Sequence, residues 1–309
     1  MDTKIYLTNN RVSTLGFGAW PLGNTSSGHT MSEEEGIALV KKAFYSGINF
    51  FDTAPNYALG RSETILGKAL SNVRDKVIIN TKFGHHVDGI IDFDVNKLRS
   101  SIEGSLKRLN TTYIDSVILH NPNKDILMGQ TSHFAILDML KKEGLIKGYG
   151  VSIDTDEEVE LTLKYLKVDV IELLFNVFAQ SSRHYFDEIK KREISLIIKV
   201  PLDSGWLTGK YHKNMVFDGI RSRWTKHDIH RRHNLVQAIK EHVHSEDLTK
   251  YALGFIWSYD AVTTIIPGMR TETQLSEHIN AWKSTFDYRL KSYFENFYDE
   301  KIKKEPLLW

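Results

Sequence analysis

GINFFDTAPNY, residues 47–57, decides how the chain is read. The apolar run Ile48-Asn49-Phe50-Phe51 reads as a short buried strand, closed by Asp52 and broken by Pro55. Tyr57 follows five residues after Asp52, in a loop. Two later stretches have the same form: Val77–Thr81 ends in Lys82, and Val117–Leu119 ends in His120. Successive strands that each deliver a titratable side chain to their C-terminal ends describe a site.

Working outward, residues 4–20 alternate apolar and polar around Asn9-Asn10, which predicts a hairpin leading into a strand at Leu15–Trp20. Ser32 with Glu35 spells a capping box, and Ile37, Val40 and Phe44 share the helical face behind it. Strand and helix then alternate, with strands at Val77–Lys82, Ser116–His120, Ile146–Ser152, Val170–Asn176, Ser195–Val200 and Thr263–Pro267. Thr155 with Glu158 forms a second capping box, a long loop runs from Pro201 to about Asp228, and a last helix falls near 286–303. Counting from Leu15 gives eight strands, most followed by a helix. The pattern predicts one domain over 1–309: a (β/α)8 TIM barrel with an N-terminal β-hairpin and a C-terminal helix. A doubly wound sheet is the rival, but the chain has no Gly-rich first turn.

Composition sets the outer bounds. With 40 basic and 39 acidic residues the net charge is +1, so no large field draws nucleic acid or an anionic membrane. The absence of cysteine excludes disulfides and thiolate chemistry. MDTKIYLTNN lacks a signal-peptide pattern, and no apolar run approaches ~18 residues. A soluble, cytoplasmic protein is expected, monomeric by default, acting on a small molecule.

In a (β/α)8 barrel, residues at the C-terminal strand ends converge. Asp52, Tyr57, Lys82 and His120 would come from neighbouring strands. Tyrosine has a free pKa of roughly 10, too high for efficient proton transfer near neutrality. A lysine ammonium ~4 Å away favours phenolate by up to ~4 kcal/mol at an effective dielectric of 20, before desolvation opposes it. Asp52 would hold Lys82 charged, and His120 would donate to a carbonyl oxygen or help relay the proton. A carbonyl polarised in this way needs a nucleophile, and hydride from a nicotinamide is the evident candidate.

At these residues the chain closely resembles the aldo-keto reductases, almost end to end. The matching stretches are LGFGAW at 15–20, FDTAPNY at 51–57, GRSE at 60–63, NTKFG at 80–84, ILHNP at 118–122, KGYGVS at 147–152, VPLDSGWLTGKY at 200–211 and IPGMRTETQLSE at 266–277. The resemblance implies a catalytic tetrad of Asp52, Tyr57, Lys82 and His120, with Tyr57 as the acid in reduction. It places the nicotinamide carboxamide near Ser152 and Asn176, and the pyrophosphate under Pro201, Leu202, Gly205, Leu207 and Gly209, with Lys210 adding charge. An adenosine phosphate falls on Gly268, Met269, Arg270 and Thr271, with Gln274 and Glu277 near the adenine; the anion site favours NADPH/NADP+ over NADH. Trp20, Phe83 and Asn121 are candidates for the substrate pocket. The implied function is NADPH-dependent reduction of an aldehyde or ketone. The alternative is a cofactor-sensing regulatory subunit like the potassium-channel β subunits.

The chain departs from the family at three positions. Lys199 stands where many members have Tyr, and is expected to serve the pyrophosphate or an anionic substrate. Glu172 stands where Gln is common, and His278 where Asn is common.

Other signals are weaker. Gly205 to Tyr211 is one residue short of a P-loop. His85-His86 and the trio His227, His230 and His233 lack metal-ligand spacing, so a solvated face and no metal are expected. Arg221, Arg223, Arg231 and Arg232 form a basic cluster for which solvation is the first expectation, ahead of a loop latch or a phosphate contact. The apolar tip Leu307-Leu308-Trp309 would cap the barrel or a partner.

Overall fold

The computed structural model describes residues 2–26 and 29–307. Leu308 and Trp309, and with them most of the apolar tip, lie outside the described residues.

Eight parallel strands lie side by side in chain order: β1 (Phe17–Gly18), β2 (Phe50–Asp52), β3 (Ile78–Phe83), β4 (Ile114–His120), β5 (Ile146–Ile153), β6 (Val170–Leu174), β7 (Ser195–Lys199) and β8 (Val262–Ile265). Bridges between Leu15 and Ile265 and between Gly18 and Gly268 join the first strand to the last. The seam is made by Gly16 N–H to the Ile265 carbonyl at 2.8 Å and Gly18 N–H to the Pro267 carbonyl at 3.0 Å. It admits only glycine at position 18, because a Cβ there would lie 2.6 Å from the Ile266 carbonyl oxygen.

The main helices are α1 (Glu33–Tyr45), α2 (Arg61–Leu70), α3 (Leu98–Arg108), α4 (His133–Lys142), α5 (Asp156–Tyr165), α6 (Phe186–Lys191), α7 (Lys226–Val243), α8 (Thr249–Trp257), α9 (Glu272–Lys283) and α10 (Arg289–Lys301). Both predicted capping boxes form: Ser32 with Glu35 starts α1, and Thr155 with Glu158 starts α5. Among the described residues no helix is long and apolar enough to cross a membrane.

Alternation along the strands sorts the side chains into two sets. Ile79 and Phe83 of β3, with Ile171 and Leu173 of β6, belong to the large outer core. Phe50, Ile78, Ile118, Val170 and Ile197 form a smaller cluster with Tyr6, Val12 and Ile266. Above that inner layer, the same parity delivers Asp52, Lys82, His120, Ser152, Glu172 and Lys199 towards the C-terminal end.

The hairpin pairs Thr3–Tyr6 with Asn10–Ser13 and closes the opposite end. Its turn falls on Leu7, Thr8 and Asn9 rather than on Asn9-Asn10, since Asn10 already pairs with Tyr6. Leu7 and Thr8 take positive φ there. Packing outweighs turn propensity: the earlier turn sets Leu7 against the inner cluster and buries Tyr6, whose hydroxyl lies 2.5 Å from Ser116 Oγ.

Candidate active site

Asp52 and Lys82 are both buried, and the ammonium donates to the two carboxylate oxygens at 2.6 and 2.7 Å and to the Thr53 carbonyl at 3.1 Å. Asn80, inward-facing on β3 like Lys82, donates to Asp52 at 2.7 Å. Tyr57 begins a 3-10 turn just after β2, and the Lys82 ammonium stands 5.4 Å from the centre of its ring. His120 presents its ring edge-on to Tyr57, with centroids 6.3 Å apart, and His85 stacks on His120 at 4.1 Å. Asp52, Tyr57 and His120 line a cleft of about 450 Å³, with Lys82 buried behind them.

Burial dominates the electrostatics. It lifts the Tyr57 hydroxyl above its ordinary pKa, and Lys82 opposes the rise without reversing it. The acidification expected from Lys82 is therefore outweighed, by burial first and then by the charges of Asp52 and Glu172. Burial, helped by Lys82, holds His120 well below the usual imidazole range, so its ring is neutral. His120 Nδ1 has no hydrogen-bond partner among the described residues.

The second carboxylate is Glu172, buried, with Oε2 3.3 Å from the Lys82 ammonium. The Ser152 hydroxyl donates to Glu172 at 3.0 Å and accepts from Lys199 at 2.8 Å. Lys199 also pairs with Asp154 at 2.8 Å and donates to Asn121 at 3.1 Å. The ammonium expected to serve an anion thus already has three partners.

Strain gathers at the same mouth. Asn121, Val200, Asp203 and Ser204 all carry positive φ, which is costly for a β-branched residue such as Val200. Asn176 pins this backbone by donating to the Val200 carbonyl at 3.0 Å, and its own carbonyl accepts from Phe178 N–H at 2.8 Å.

The rest of the cleft follows the loop after β7 and the start of α9. Pro201, Leu202, Gly205, Lys210, Gly268, Arg270, Gln274, Glu277 and His278 line it, together with Trp20, Asn121, Glu172 and Lys199. Gly205 has φ 112°, open to glycine alone. Arg270 donates to the carbonyls of Asn24 and His29 and has no carboxylate partner among the described residues. Gln274 accepts from Arg270 N–H at 2.7 Å, and Lys210 bridges to Glu277 at 2.8 Å. His278 is buried with Nδ1 unpartnered among the described residues, and its pKa is pushed down to about 4.

Several expected residues stand off the wall. Ser152 and Asn176 are fully buried behind it, engaged as described. Leu207 and Met269 are core residues, and Gly209 ends the 3-10 turn with φ 80°. Phe83 points outward and packs against His86, Phe93 and His133, so it is no part of the pocket.

The basic cluster is largely a latch rather than a solvated patch. Arg232 is fully buried, donates to Asp203 at 3.0 Å and lies 5.1 Å from the Trp224 ring centre. Arg221 donates to the Ser204 carbonyl at 3.0 Å, and Arg231 pairs with Glu305. Sequence reasoning missed Arg232 and Glu172 as internal charges; position on the inward or buried face was the available signal.

The aldo/keto reductase family model matches residues 14–297. L-galactose dehydrogenase from Arabidopsis thaliana is 30% identical over 300 residues, covering 90% of this chain and 88% of that one. A probable voltage-gated potassium channel subunit beta from Oryza sativa is 26% identical, covering 88% of each. The holo form of an aldo-keto reductase from Bacillus halodurans superposes with a TM-score of 0.80 at 23% identity, over 96% of both chains. With a family match spanning nearly the whole barrel, the chain belongs to the aldo/keto reductase family.

Proposed function

We propose that this protein reduces an aldehyde or ketone with NADPH, with Tyr57 giving the proton to the carbonyl oxygen. One observation carries the reading: Tyr57 and His120 wall a single cleft, with the Asp52–Lys82 pair at their back. Burial keeps Tyr57 protonated, as an acid must be before transfer. Lys82 then stabilises the phenolate that the transfer leaves behind, and Asp52 fixes the ammonium in place. Neutral His120 orients the carbonyl oxygen beside Tyr57 through a hydrogen bond.

The residues present fit the cofactor. Arg270 brings a guanidinium with no carboxylate partner among the described residues to the N-terminus of α9, which suits the extra phosphate of NADPH. Gly205 lets the backbone of the loop after β7 approach a pyrophosphate. When bound, the reduced nicotinamide supplies the hydride that completes the alcohol.

The test is turnover of nitrobenzaldehyde with NADPH, followed by absorbance. Wild type should consume NADPH, and Tyr57→Phe should lose ~10²-fold or more of that rate while still binding cofactor. Cofactor binding by wild type without turnover across a broad carbonyl panel would sink this reading and favour a cofactor sensor.

A further inference from the structure

The four residues assigned to proton transfer leave one charged side chain at their centre unused. Glu172 reaches the Lys82 ammonium from β6, at 3.3 Å, while Asp52 holds it from β2 at 2.6 Å. Both carboxylates are buried and share Lys82 and Asn80 as polar neighbours. One ammonium between two ionised carboxylates leaves an excess negative charge, which a low-dielectric interior does not tolerate without a partner. Lys199 on β7, itself paired with Asp154 at 2.8 Å, favours the charge on Glu172 and is joined to it by the Ser152 hydroxyl, which donates to Glu172 and accepts from Lys199.

The surroundings offer few competing charges. From β3, Asn80 donates to Asp52 at 2.7 Å and lies 3.5 Å from Glu172. From the hairpin, Tyr6 reaches Asn80 only through Ser116. Tyr57 faces the group from the turn after β2, His120 from β4, and His85 from behind His120. Asp154, after β5, is tied to Lys199 rather than to Lys82.

We propose that Glu172 is a positioning residue for Lys82, sharing its ammonium with Asp52, and that Lys199 favours the charge on Glu172. The assignment rests on the proposed role of Tyr57 only for its effect on turnover. Burial and Glu172 both push the Asp52 carboxyl above the ordinary range, against the pull of Lys82. Burial also resists the charge on Glu172, but Lys82 and Lys199 outweigh it and hold this carboxyl below the ordinary range. Glu172 in turn adds to the rise of Tyr57. Asp52 and Glu172 therefore add to burial in making the phenol slower to give up its proton, against the pull of Lys82.

The experiment is a pH titration of the whole protein labelled with ¹³C at Asp and Glu carboxyls, without cofactor. The Asp52 signal is assigned by its loss in Asp52→Asn, and that of Glu172 by its loss in Glu172→Gln. In Glu172→Gln, which keeps the side chain's size, Asp52 should titrate lower than in wild type by about one unit or more. In Lys199→Met, Glu172 should titrate higher than in wild type. In turnover, the alkaline limb of kcat/KM for nitrobenzaldehyde should move to lower pH in Glu172→Gln. Unchanged Asp52 titration in Glu172→Gln, or unchanged Glu172 titration in Lys199→Met, overturns the proposal. A loss of kcat with every titration and the limb in place would do the same, marking Glu172 as packing only. Because the carboxyl signals need no turnover, failure of carbonyl reduction leaves them readable.

Discussion

The Arg232 guanidinium and the Asp203 carboxylate lie 3.0 Å apart with both side chains buried, beneath the loop that follows β7. Burial raises the Asp203 carboxyl and Arg232 works against that rise. Replacing Arg232 by Met would leave the acid buried without its main counter-charge, a change that costs ~3–5 kcal/mol when a buried pair loses one member. Urea unfolding should show that loss, and adding Asp203→Asn should recover part of it. A loss under ~1 kcal/mol would mean that the pair does not hold the loop.

Arg270 separates two cofactors. If its guanidinium meets the phosphate that NADH lacks, Arg270→Ala should weaken NADPH binding ~10-fold or more and leave NADH nearly unchanged, as a charge-assisted contact implies. Fluorescence titration of both cofactors measures this. Equal losses for both would show that the arginine acts only by tying down the carbonyls of Asn24 and His29.

His278 makes stability depend on pH. Its pKa falls from 6.5 to about 4 through burial, with Lys210 adding to the effect. Between those values the unfolded chain binds a proton that the folded chain refuses, so stability rises with pH across the window. The contribution is fully present above pH 6.5 and is lost as pH falls through about 4. Unfolding free energies measured from pH 7 to pH 4 should drop by an extra ~3 kcal/mol or less from this group. His278→Asn should flatten that part of the curve. An unaltered acid slope in the variant would show that the imidazole charges freely in the fold.

The barrel was legible because buried parallel strands are short apolar runs and the helices between them carry their own start signals. Ile78-Ile79 and Ser32 with Glu35 are examples, and both sit where the pattern put them. Asp52, Tyr57, Lys82 and His120 were legible for a related reason, since a polar residue at the end of an apolar strand needs an explanation. Glu172 was harder. It meets Lys82 only because the ring brings β6 across to β3, and nothing local to 170–176 reports that distance. Phe83 was misassigned to the pocket although parity was available: neighbours on a strand face opposite ways, so an inward Lys82 sends Phe83 outward. Arg232 was hidden by composition, because four arginines in one stretch read as solvated until Trp224 and Asp203 are seen to cover one of them.

The join between first and last strands has a consequence for how the molecule comes into being. Thr264 Oγ1 donates to the Ser13 carbonyl across 251 positions, and Trp282 Nε1 to Thr14 Oγ1 across 268. Such distant partners meet late, after nearly all the chain exists. A nascent chain that stops short of Val262 would keep two bare strand edges open to unwanted pairing. It would also lack the cleft's Pro267–Gly268 wall, so ligand recognition should arrive with ring closure and not before.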